Sequence, residues 1–274
     1  MPGLLLENLN MENFSQEAKE LLTLLDKKEK MVAMLAPSFP IVFAYPQIVT
    51  NLKKLGFVHV LEVSRGAIET NCQVLDKLGK NGKNRLIAGP CPTVVRMIRN
   101  KYPHLIPFLA QADSPMTASA KLVLQKFPDH RPVFIGPCLT KKLEAKEDHP
   151  DLNILALTYF DLQQIFDFKK IKNKTVNVLE GFDFIGSKTR LYPISGGLSQ
   201  SSDLNQSLTD EELDVVSGPV NCQKALEDFP TNRLKLLDIL FCDGGCINGP
   251  GIQSDLSLEE RRVRVIQHWA KIIK

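Results

Sequence analysis

The chain has 274 residues, 43% hydrophobic and 24% charged, the balance of an ordinary globular protein with one bilobed unit or two small lobes. Its 34 basic and 31 acidic residues leave a net charge of only +3, which argues against a nucleic-acid or membrane partner. No apolar run approaches the ~20 residues of a membrane helix. Met1-Pro2-Gly3-Leu4-Leu5-Leu6-Glu7 lacks the basic flank and cleavage site of a signal peptide, so a cytoplasmic location with reduced thiols is expected.

An N-terminal segment and helix is expected over residues 1–30, the helix running from Ser15 to Lys30 with Ala18, Leu21, Leu22, Leu24 and Leu25 on its apolar face. The rest, 31–274, reads as a domain of two lobes with a break near 130–190. The continuous apolar run Met31–Ala36 predicts a strand buried on both faces, ending at Pro37-Ser38. A helix through Ile48, Leu52 and Leu55 follows, then a strand over Val58–Val63, a helix from about Gly66 to Leu78, and a strand ending at Cys91. A helix over Thr93–Lys101 is halted near Pro103, and another starts after Ser114-Pro115 and runs to about Phe127. Strand Val133–Gly136 ends at Cys138, and a charged helix or loop, Lys141–Asp148, precedes strand Asn153–Leu157. Leu191–Ile194 reads as strand-like and ends in Gly196-Gly197; Leu198–Asp210 reads as a polar loop. Strand Asp214–Gly218, helix Asn221–Phe229, strand Leu236–Phe241 and a terminal helix Leu258–Ile273 complete the chain.

This alternation predicts an α/β fold: two lobes of mostly parallel sheet flanked by helices, with the site in the crevice between them, beyond the carboxyl ends of the strands. Ala36-Pro37-Ser38, Cys91, Cys138, Gly196-Gly197 and Cys242 all fall at such ends. Ile87-Ala88-Gly89-Pro90-Cys91 is echoed by Phe134-Ile135-Gly136-Pro137-Cys138, as though two similar turns faced one site.

Four of the six cysteines, Cys91, Cys138, Cys242 and Cys246, lie in turns rich in Gly and Pro: Cys91, Cys138 and Cys246 adjoin one directly, and Cys242 stands two residues before Gly244. Four thiols brought to one crevice can hold an iron–sulfur cluster or a metal ion. Structural zinc is the competing ligand, but it usually draws on two close cysteine pairs, whereas Cys91 and Cys138 stand alone on separate strands. Cys72 and Cys222, inside or at the start of predicted helices, read as inert buried thiols.

The motifs resemble the catalytic-cluster domain of iron-only hydrogenases. That family's first signature, a Cys-Cys-Pro turn with a later Tyr-Pro and Ser-Pro, resembles Pro90-Cys91-Pro92, Tyr102-Pro103 and Ser114-Pro115. Its second, Met-Pro-Cys-x-x-Lys-Lys-x-Glu-Ala, resembles Gly136–Ala145, and its third, Cys-x-Gly-Gly-Cys leading into Asn-Gly, resembles Cys242–Gly251. Ala36-Pro37-Ser38 is also family-like. The resemblance implies a [4Fe–4S] cubane held by Cys91, Cys138, Cys242 and Cys246, with Cys246 bridging to a diiron unit that carries CO and cyanide. It implies that Lys141 and Ser38 offer donors to the cyanides, and that Gly196-Gly197 lets the chain approach the two irons closely. It further implies H2 or protons as the reactant, an electron-transfer or signalling partner protein, and maturation proteins that supply the diiron unit.

The departures bear on activity. Pro90 stands where active members have a proton-passing cysteine; Ala110 and Gln73 stand at the next relay positions, usually serine and glutamate; Pro137 and Leu240 replace two methionines. Losing one general acid–base group typically costs ~10²–10⁴-fold in rate. Two functions stay open: a divergent hydrogenase-like protein that senses H2 or turns it over slowly, and a non-enzymatic [4Fe–4S] protein of the same fold acting in cluster assembly or electron transfer.

Overall fold

Met31–Leu35 is buried at every position, as a run of five apolar residues requires, and it becomes the central strand of the first sheet. The computed structural model describes residues 12–79, 84–171 and 180–271; the readings made on Met1–Glu7 and on the last residues of the terminal helix lie outside them. Seven strands are formed among the described residues: β1 (Met31–Leu35), β2 (His59–Glu62), β3 (Leu86–Ile87), β4 (Arg131–Gly136), β5 (Leu155–Thr158), β6 (Leu213–Ser217) and β7 (Leu236–Leu240). They make two sheets, β2-β1-β4-β5 and β3-β7-β6, with every pairing parallel. Leu35 pairs with both Glu62 and Ile135, so β1, β2 and β4 end level, and their following turns emerge at one edge.

The two sheets are not two consecutive stretches of chain. The chain builds β1 and β2 in the first sheet, β3 in the second, β4 and β5 in the first again, and β6 and β7 in the second. The passage from β5 to β6 overlaps the expected break near 130–190, but it is one of three crossings. This interleaving brings turns from both sheets into one crevice, as parallel sheets place ligand sites.

Two regions differ from the sequence reading. Leu191–Ile194 is not a strand: Lys188–Leu191 is a single 3-10 turn. Its side chains are consumed in buried contacts, with Thr189 Oγ1 donating to Ser64 O at 2.6 Å and Arg190 paired to Glu62 at 2.5 Å, both ion-pair partners wholly buried. The expected polar loop after it contains helices Gly197–Ser201 and Leu204–Ser207. Asp238 on β7 organises the first: Ser199 N and Oγ donate to its carboxylate at 3.1 and 2.9 Å. A further helix, Tyr159–Phe168, starts at a capping box formed by Thr158 and Asp161. No helix among the described residues is long and apolar enough to cross a membrane.

Candidate metal centre

Each of the four thiols sits on a turn whose shape its neighbours dictate. β3 runs into Gly89-Pro90-Cys91, and Pro92 opens the helix Pro92–Lys101 with Cys91 at its N-cap position. Proline suits that first helical position because its missing N–H would lack a partner there anyway. β4 runs into Gly136-Pro137-Cys138, where a Cβ on Gly136 would lie 2.5 Å from the Phe134 ring. The backbone N–H groups of Lys141 and Thr140 then point at the Cys138 sulfur. After β7, the Cys242–Cys246 loop turns through Gly244 at φ +72° and Gly245 at φ +103°. A Cβ on Gly245 would meet Pro193 O at 2.5 Å, so both conformation and space demand glycine.

The four thiols feel one another. Burial pushes Cys246 well above the ordinary thiol range, and Cys91, Cys138 and Cys242 push it further. Cys242 is pushed up to about 12 by burial, then by Cys91, Cys138 and Asp243. Cys138 is raised by burial and by Cys91, with Lys141 opposing. The thiols of Cys138, Cys242 and Cys246, held back from ionising by desolvation and by neighbouring cysteines, need cations to become thiolates, which is what iron supplies. Among the described residues no three His, Cys, Asp or Glu side chains stand close enough to hold a single metal ion. A cubane makes no such demand, since each of its four irons takes one thiolate. The donor set and its surroundings fit a [4Fe–4S] cluster.

Beside Cys138 and Cys246 lies a cavity of about 70 Å³, walled by Ala36, Pro37 and Ser38 from the first sheet and by Pro90, Leu240 and Pro193 from the second side. Lys141 is buried in its wall. Its ammonium donates to Glu144 at 2.5 Å, to Ser114 Oγ at 2.8 Å, and to Pro90 O at 3.4 Å, the last a long contact that a ligand could take over. Ser38, also on the wall, has its Oγ 2.8 Å from the Tyr159 hydroxyl, which donates to Ala36 O at 2.7 Å.

The structure thus brings Cys91, Cys138, Cys242, Cys246, Lys141, Ser38 and Pro90 together. It does not place Gly196-Gly197 on the cavity wall. A Cβ on Gly197 would meet Leu191 O at 2.1 Å, and Gly196, at φ +80°, faces Val215; protein packing alone accounts for both glycines. Pro137 and Leu240 are on the wall and keep it apolar; set against Met-Pro-Cys, Pro137 matches the signature's own proline, and Gly136 is the residue at the methionine position. Ala110 is buried, its N–H bonded to Ile87 O at 2.9 Å. Gln73 is held by Asp113, whose N–H donates to Oε1 at 2.7 Å.

Two cysteines depart from their sequence reading. Cys72 is exposed, not buried. Cys222 is fully buried as expected, but it is a neighbour of the site: its thiol donates to Leu240 O at 3.3 Å, and burial, Cys91 and Cys242 push it up to about 12. Sequence reasoning missed Glu144 as Lys141's partner, although the i,i+3 spacing showed it, and missed Tyr159, for which no local signal exists.

Comparison with known proteins agrees with this geometry. The structure superposes on the apo [FeFe]-hydrogenase HydA1 of Chlamydomonas reinhardtii (in a variant form) with a TM-score of 0.72 and 18% identity, covering 92% of this chain and 88% of that one. The sequence is 22% identical over 259 residues to Iron hydrogenase 1 of Clostridium pasteurianum, covering 75% of this chain and 45% of the relative. It is 24% identical over 191 residues to the cytosolic Fe-S cluster assembly factor NAR1 of Encephalitozoon cuniculi, covering 61% of this chain and 52% of the relative. The chain therefore spans about half the length of these two relatives. An α/β protein with a four-thiol crevice is the class that fold and site define. Residues 29–250 match the iron-only hydrogenase large subunit, C-terminal domain, and the chain belongs to that family.

Proposed function

We propose that this chain holds a [4Fe–4S] cubane on Cys91, Cys138, Cys242 and Cys246, and that the adjoining cavity takes a diiron unit at which H2 is sensed or slowly turned over. The observation that carries this reading is the joint one: four mutually interacting thiols, two of which, Cys138 and Cys246, line an apolar cavity whose wall includes Lys141 and Ser38. Bound there, the diiron unit would supply a coordination position for H2 and the cubane a one-electron reservoir. The residues' own contribution is to bind, shield and polarise. Lys141 brings a positive charge to a low-dielectric wall, where it supports an anionic ligand strongly. Pro37, Pro90, Pro137 and Leu240 make the wall apolar.

What the chain lacks along the expected proton path bears on the rate. Pro90 has no exchangeable proton, Ala110 is sealed into backbone pairing, and Gln73 cannot ionise. Three successive positions of a proton path are non-titratable, which favours a slow or sensing role over rapid turnover.

The second reading is a single-cubane protein acting in cluster assembly or electron transfer. It is favoured by Lys141, whose ammonium is already bonded to Glu144, Ser114 and Pro90, and by the relatedness to NAR1. In both readings the cubane ligands are the same. Cys138→Ser should remove most of the brown absorbance and acid-labile sulfide after anaerobic reconstitution, while Cys72→Ser should keep both. Equal loss in the two variants would refute the ligand assignment.

A further inference from the structure

Hydrogen counting at the cavity wall identifies a role for Tyr159 that its sequence position does not suggest. Tyr159 is fully buried, and a phenol keeps its single proton at neutral pH. That proton lies on the 2.7 Å contact to Ala36 O, because a carbonyl can only accept. The 2.8 Å contact between Tyr159 and Ser38 must then be made with the Ser38 proton. A serine hydroxyl has one proton and two lone pairs, so Ser38 turns lone pairs toward the cavity. Tyr192, the other hydroxyl on the wall, is spent on Asn71 Oδ1 at 2.9 Å. Apart from the cluster thiols, Lys141 is the one side-chain donor on the wall with a bond to yield, its long 3.4 Å contact to Pro90 O.

We propose that Tyr159 is a positioning residue that fixes Ser38 as a hydrogen-bond acceptor, so that the cavity holds a ligand with one anionic group at Lys141 and a proton-bearing group, or none, at Ser38. This rests on the reading that the cavity takes the diiron unit, and it differs from the expectation that Ser38 donates to a cyanide.

Two measurements test it. In the protein reconstituted with the cubane alone, the tyrosine Fermi doublet in ultraviolet resonance Raman reports whether a phenol accepts as well as donates. Ser38→Ala should shift the doublet toward a donor-only tyrosine, with the shift absent in a Tyr159→Phe background. An unchanged doublet would overturn the proposal. In protein given the synthetic diiron precursor, infrared spectra separate the alternatives a second way. Ser38→Ala should leave both cyanide bands in place, whereas Tyr159→Phe, which frees the serine proton, should move one. The reverse pattern would show Ser38 already donating to cyanide and would overturn it. Wild-type protein that takes up no diiron unit would sink the functional reading instead, and the Raman result alone would then decide the role of Tyr159.

Discussion

Lys141 and Glu144 face each other with side chains only 10% and 7% exposed, so neither charge is screened by water. Removing one partner of such a buried pair leaves an uncompensated charge, which typically costs about 3–5 kcal/mol. Glu144→Gln should therefore lower unfolding stability by about that amount, read from denaturant midpoints. Replacing both residues by methionine should cost less, because no lone charge remains. The pair was within reach of sequence reasoning, since residues three apart on a helix are neighbours. So was Cys72: the buried face of its helix runs through Ala67, Thr70, Asn71, Val74 and Leu78, a helical stripe that leaves position 72 outside. Tyr159 was not within reach. Its contacts to Ala36 and Ser38 join residues more than 120 positions apart, and only the folded sheet edge unites them.

At the scale of elements, tight turns hold the thiols. Gly245→Ala would place a methyl group against Pro193 O at 2.5 Å and Ser195 N at 2.8 Å, in a backbone region that costs a non-glycine residue about 1–3 kcal/mol. It should lose the cubane on reconstitution. Gly244→Ala should be milder, because the nearest atoms belong to the movable Leu258 side chain. A second element-level device ties the helix Gln16–Asp26 to the helix Tyr159–Phe168 through Asp161. Burial pushes the Asp161 carboxyl up, but hydrogen bonds from Thr158, Ser15 and Lys142 outweigh it and leave the group below the ordinary aspartate value. The stabilisation it provides is thus fully present above the unfolded-state pKa and is lost as pH falls through the lower folded one. Stability measured across the acid range should show that loss in the wild type and less of it in Asp161→Asn. The strands were legible wherever apolar runs are buried on both faces, as in β1 and β4. The stretch 188–207 was not, because its shape is set by Asp238 and Glu62, which arrive from other strands.

Over the whole molecule, the interleaving of two parallel sheets is what creates the site. Cys138 arrives from the first sheet, Cys91 and Cys242 from the second, and the chain must cross between them three times to close the crevice. Repeated turns at the ends of β3 and β4 were visible in sequence; the order of strands was not, because strand pairing is non-local and leaves no local signature. The same architecture puts the cavity directly beside Cys138 and Cys246, which couples the two halves of the functional proposal: a cubane is required by both readings, and occupancy of the cavity separates them. The most direct measurement is an infrared spectrum of protein reconstituted anaerobically with iron and sulfide and then given the synthetic diiron precursor. CO and cyanide bands that are retained after desalting and shift under H2 are expected. A cubane signal with no retained bands would contradict the hydrogen-responsive reading and leave a single-cluster protein of cluster assembly or electron transfer.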